Sequence, residues 1–125
     1  MKAAIRDYTV RSNVLGVDTS GDYTTIDRFT LDQLRTLLKA GLLDPEEQQN
    51  EAPTIRELME FMEKWPGVYA HGYTIGGERD DARVSLEGLA CAEVDVTQDL
   101  LRAFVMLCRG ADELDIEGDL RAWWD

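Results

Sequence analysis

Two threonines fix where this chain becomes helical. Thr30 and Thr54 each stand three residues ahead of a Gln or Glu (Gln33, Glu57), at the head of an apolar-periodic run. In that position the threonine hydroxyl accepts from the backbone N–H three residues on, and the Gln or Glu side-chain oxygen accepts from the threonine's own N–H. Donors that a helix start would otherwise orphan are thereby satisfied in pairs. After Thr30, residues Leu31, Leu34, Leu38 and Leu42 recur at helical spacing until Gly41 and Pro45 close the run. After Thr54 the apolar positions are Ile55, Leu58, Met59, Met62 and Trp65, while Arg56, Glu57, Glu60, Glu63 and Lys64 face water. Pro66-Gly67 ends that second helix.

Around these helices the pattern is that of strands. Ala4 to Val17, rich in Val, Ile, Tyr and Thr, reads as containing an N-terminal strand, and Asp18 to Asp22 as the turn after it. Val68–Ile75 and Arg83–Ala92 read as a β-hairpin joined by a turn from Gly76 to Asp81. A third helix starts near Asp95-Val96-Thr97-Gln98 and runs to Arg109. Its interior, Leu100 to Cys108, holds one charge in nine residues. A helix so apolar is buried on more than one side, as a central core helix or as half of a homo-oligomer interface through residues 97–109.

The last hairpin joins Asp112–Ile116 to Leu120–Trp124 through Glu117-Gly118-Asp119. It pairs Ile116 with Leu120 and Leu114 with Ala122 on one face, and sets Asp115 opposite Arg121 on the other. The polar stretch Asp44 to Ala52 reads as a flexible loop. Helices and strands are grouped rather than alternating. The expected class is therefore α+β: a small antiparallel sheet (N-terminal strand plus two hairpins) with three helices on one face. The length suits one domain over 1–125.

Charge limits the partners. With 25 acidic against 13 basic residues, the chain carries −12 and is repelled by phosphate backbones and anionic lipid. Direct nucleic-acid and membrane binding are disfavoured, and a basic protein is the natural counterpart. The bias is local as well, with ten acids and three bases between Ser85 and Asp125. No signal-peptide core or membrane-length apolar run is present, and Cys91 and Cys108 read as buried free thiols, all consistent with a cytoplasmic protein.

No motif for catalysis, a cofactor or a metal emerges. Gly76-Gly77 leads into Glu78 rather than a phosphate loop, and one His with two distant Cys falls short of a zinc set. The acidic tail fails as an EF-hand, because Trp124 occupies the position of the bidentate Glu. Strand alternation accounts for that tail better.

Two sites remain. Tyr69, His71, Tyr73 and Ile75 share one strand face, and a register pairing Tyr73 with Ser85 would set His71 opposite Glu87 as a candidate acid–base pair. Pairing Tyr73 with Val84 would instead send His71 against Leu86, in the core. The second site is the acid row Glu113, Asp115, Glu117 and Asp119 beside Arg121 and Trp123, a candidate partner surface anchored on an aromatic ring. A non-enzymatic interaction or regulatory module binding a basic protein is the leading expectation. A small enzyme or ligand-binding domain around His71, and an oligomeric structural subunit, are the alternatives.

Overall fold

The computed structural model describes residues 2–76 and 81–125, with side chains from residue 9 onward. The elements in chain order are α1 (Lys2–Leu15), β1 (Tyr23–Phe29), α2 (Leu31–Lys39), α3 (Ile55–Lys64), β2 (Val68–Ile75) and β3 (Arg83–Cys91). A 3₁₀ turn (Glu93–Asp95), α4 (Gln98–Leu107), β4 (Glu113–Asp115) and β5 (Leu120–Trp123) follow. The strands form one sheet in the order β1-β2-β3-β5-β4, antiparallel at every step. This is the expected α+β class. The turn placed from Gly76 to Asp81 lies, at residues 77–80, outside the described residues.

Both capping boxes close. The Thr30 hydroxyl accepts from Gln33 N–H at 3.2 Å while Gln33 Oε1 accepts from Thr30 N–H at 2.9 Å. Thr54 and Glu57 exchange the same bonds at 3.2 and 3.0 Å. Replacing Thr54 by alanine is expected to lower unfolding free energy by about 1 kcal/mol, with an unchanged denaturant slope, in a urea titration.

The strand expected within Ala4–Val17 is instead helix α1, and the first strand is Tyr23–Phe29. β-Branched composition reports fit to a half-buried pleat rather than a backbone preference, so tertiary packing can override it. Val14 and Leu15 of α1 pack against the core. Arg11, one turn earlier, is only 2% exposed, and its Nε donates to the Thr19 hydroxyl at 3.3 Å. Thr19 N–H in turn donates to Ser12 Oγ at 2.9 Å, tying the segment after α1 back to the helix.

One face of the sheet and the inner faces of the helices share a single core. It includes Phe29, Val68, Ala70, Val84, Leu89, Leu120, Ala122 and Trp124 from the strands and just beyond them, with Leu34, Leu37, Leu58, Met62 and Phe104 from the helices. The α3 positions fall as expected, except that Trp65 is only partly buried.

Helix α4 departs further from its expectation. Leu100, Phe104 and Cys108 are buried, with Phe104 edge-on to Phe61 of α3 at 6.3 Å, but Met106 is 62% exposed. Among the described residues no layer lies outside α4, so its apolar run is buried on one side only. Cys91 and Cys108 are free, buried thiols, as read, and burial pushes Cys108 up to about 12.

The 44–52 stretch, read as a flexible loop, is hydrogen-bonded to its surroundings. Its backbone is pinned to the start of α3, with Ile55 N–H donating to the Glu47 carbonyl at 2.9 Å and Arg56 N–H to that of Pro45 at 2.8 Å. Its side chains are tied to the sheet as well. The Ser85 hydroxyl donates to the Glu47 carboxylate, and Gln49 Nε2 donates to the Tyr73 hydroxyl at 3.1 Å. Glu47 is therefore no part of a solvated acid surface. Burial pushes its carboxyl above the ordinary value, only partly offset by the Ser85 hydroxyl and the Arg83 guanidinium.

Candidate functional site

Among the described residues the other sheet face carries no helix, and alternation decides what it presents. On β2 the outward residues are Tyr69, His71 and Tyr73, all half-buried, against buried Val68, Ala70 and Thr74 on the core side. On β5 they are exposed Arg121 and half-buried Trp123. Between these strands β3 contributes Gly88, which pairs with His71 and Trp123, and Ala90, which pairs with Tyr69 and Arg121. Two small residues flanked by large ones leave a groove. Its volume is about 260 Å³, with Tyr69 and His71 along one wall and Arg121 and Trp123 along the other.

Hairpin register settles the role of His71. Tyr73 does pair with Ser85, but a bulge between His71 and Gly72 adds a residue on β3, so His71 faces Gly88 instead of Glu87. The acid–base pair expected from sequence is not formed. Glu87 instead accepts from Trp123 Nε1 at 3.2 Å, which fixes the indole.

The His71 ring stands over Gly88, where an added Cβ would lie 2.6 Å from it. Its Nε2 lies 3.1 Å from the Ala122 carbonyl, which can only accept, so Nε2 carries the proton. Burial, then the Arg121 charge, hold His71 below its ordinary value, opposed by the Ala122 hydrogen bond and the Asp27 charge. It is a neutral imidazole that stitches β2 to β5.

A folded value below the unfolded one makes the neutral ring a source of stability above the unfolded pKa of about 6.5, a contribution lost as pH falls through the folded value. His71→Gln, which can still donate to Ala122, is expected to remove that loss. As pH drops from 7 to 5, the urea midpoint of wild type should fall relative to that of the variant.

Tyr73 belongs to a different cluster. Arg83 donates to the hydroxyls of Tyr73 at 3.3 Å and Ser85 at 3.2 Å, and lies 3.7 Å from the Glu47 carboxylate. Burial alone would raise the Tyr73 hydroxyl, but hydrogen bonds to Ser85, Gln49 and Arg83 outweigh it and hold it below its usual value. Ser85 is fully buried, so no nucleophile is presented there. This cluster latches the 44–52 segment to the sheet. Sequence reading missed it because its partners are 38 residues apart. It also missed Arg28, whose guanidinium stacks 4.4 Å above the Tyr69 ring.

The last hairpin takes the expected register, but its ladder stops at Asp115, short of the expected Ile116–Leu120 pair. Leu114 pairs with Ala122 and Asp115 with Arg121, and Gly118 adopts a φ of +77° in the turn. Residues 112–119 are all exposed. Glu113 and Asp115 therefore share the helix-free face with Arg121 and Trp123, and Glu113 approaches Arg121 at 3.9 Å.

The row does not keep all four carboxylates available. Asp119 accepts from Glu93 N–H at 2.8 Å, which fastens the turn to the 3₁₀ segment, and Asp115 Oδ1 accepts from Glu117 N–H at 3.0 Å, whereas Glu117 lies in the turn with an exposed side chain. Trp124 is buried beneath the sheet with Leu120 and Ala122, leaving Trp123 as the outward indole. Among the described residues no group of His, Cys, Asp or Glu side chains could hold a metal ion, and no helix is long and apolar enough to cross a membrane. Comparison with protein-family models, curated proteins and solved structures found no match, so function rests on this geometry.

Proposed function

We propose that this protein is a non-enzymatic interaction module that binds a basic protein through the helix-free face of its sheet at the C-terminal hairpin. The observation that carries this reading is the combination on one sheet face of Trp123, hydrogen-bonded to Glu87, with exposed Glu113 and Asp115, and of exposed Glu117 in the adjoining turn. Trp123 is held by Glu87, so little side-chain freedom is lost on contact, which favours an aromatic anchor. The carboxylates lie at the rim, where charge mainly accelerates association and selects the sign of the partner. The remainder of the net charge of −12 adds long-range steering toward a positive surface.

Catalysis at His71 has less support. Its Nε2 is committed to a backbone carbonyl, and Glu87 is engaged with the indole. The oligomer reading keeps one observation, the exposed Met106 on α4, but that helix is also stabilised by packing within the chain.

The test is affinity capture on the immobilised protein at low salt and again at about 0.3 M, where exposed charges separated by more than a few ångströms are screened. Retained proteins should be basic and should elute with salt. Capture that is salt-resistant, or of acidic proteins, would count against the reading.

A further inference from the structure

Strand β4 closes one side of the sheet, and among the described residues its outer edge pairs with no other strand. An unpaired edge displays a row of backbone N–H and C=O groups that another strand can complete. The opposite edge, β1, is broken by a register shift between Ile26 and Phe29, whereas the β4–β5 ladder runs without one. Around β4 the two faces differ in chemistry. Leu114, opposite core residue Ala122, points to the helix side yet is 38% exposed, and Ile116 just beyond is 46% exposed. Glu113 and Asp115 point to the other side.

We propose that the basic partner adds a strand to the edge of β4, as an extended segment in which Lys or Arg alternates with apolar residues. The proposal rests on the basic-partner reading above and specifies its mode. Basic side chains would stand beside Glu113 and Asp115 on the helix-free face, while an apolar side chain between them would cover Leu114 on the helix side, with exposed Ile116 just beyond. Period-two alternation is what makes one segment meet both demands. A second copy of this chain does not fit. Antiparallel pairing of two β4 edges would set carboxylates directly opposite carboxylates, and like charges across a ladder destabilise it. Charges that deter self-pairing attract a strand of the opposite sign.

The probe is a capped seven-residue peptide alternating Lys and Val, titrated by fluorescence of the Trp residues or by NMR. Alternate N–H groups of a strand point to the same edge, so N-methylation of one alternating set should weaken binding tenfold or more, and methylation of the other set should not. Glu113→Gln/Asp115→Asn and Leu114→Lys should each weaken the unmodified peptide at least several-fold. All these positions are exposed, and near-unchanged circular dichroism is expected for the variants.

Equal binding of a block-scrambled peptide, with indifference to N-methylation, would overturn strand addition while sparing the electrostatic reading. Binding unaffected by Glu113→Gln/Asp115→Asn would overturn both, as would no binding at low salt.

Discussion

Gly88→Ala is expected to destabilise the protein by about 3 kcal/mol, at the upper end of what overpacking a single methyl group costs, or to prevent folding altogether. A Cβ at this position would lie 1.9 Å from the Ala122 carbonyl oxygen and 2.6 Å from the His71 ring. The ring could swing away, but the carbonyl belongs to a ladder that cannot move without breaking the β3–β5 pairing. The double variant Gly88→Ala/His71→Ala should therefore recover only part of the loss. Gly110→Ala is the control, because nothing lies within 4 Å of its added Cβ, and its stability should change by less than about 0.5 kcal/mol. Equilibrium urea unfolding of the three variants measures all of this. A Gly88→Ala protein as stable as wild type would mean that the sheet is not paired as described, and the groove with it.

Phe104→Ala is the second large effect, at about 3–5 kcal/mol for emptying a fully buried aromatic site. In a chain of this size that corresponds to a fall in melting temperature of roughly 10–20 °C. Phe104 is inaccessible and meets the Phe61 ring edge-on, so its loss leaves a cavity in the layer between α3, α4 and the sheet. Met106, two residues along the same helix, is mostly exposed, and Met106→Ala should shift stability by no more than about 0.5 kcal/mol. Calorimetry of the pair tests whether α4 is buried on one side. Comparable losses for both would restore the central-helix reading.

The contrast between Phe104 and Met106 shows where sequence stops being informative. The α4 run, with one charge in nine residues, establishes a helix that needs burial, but an all-round apolar helix has no marked inner face. The inner face of α3 was legible because charge and hydrophobicity segregate around it, and its capping box marks the start. The last hairpin was legible too, since a Gly in the turn and charge complementarity across two faces admit one register. In α1 the misreading is instructive. Val and Thr suggested a pleated strand, but what fixes the segment is the packing of Val14 and Leu15 and a buried Arg11, which no local pattern announces.

The candidate site divided along the same line. Residues set by local alternation, Tyr69, His71, Trp123, Glu113 and Asp115, fell on the face expected of them, whereas Glu117 and Asp119 left the strand for the turn. What alternation could not supply was the bulge at Glu87. One extra residue shifts a ladder and changes a partner, so His71 acquired a glycine and a carbonyl in place of a carboxylate. The latch between Glu47 and Ser85 was equally invisible, because it joins segments that only the folded chain brings together.

The central claim is that the acid of the C-terminal hairpin, rather than the net charge of the whole chain, binds a basic partner. Titrating a basic partner captured by the protein, or the alternating Lys–Val peptide, against two variants of equal net charge tests it most directly. One variant neutralises the hairpin, Glu113→Gln/Asp115→Asn/Glu117→Gln, and the other neutralises Glu51→Gln/Glu60→Gln/Glu63→Gln around α3. The account predicts that the hairpin variant loses at least tenfold in affinity and most of its salt dependence, while the α3 variant stays within about twofold of wild type. Equal losses in the two variants would show that only net charge matters, and would contradict the claim.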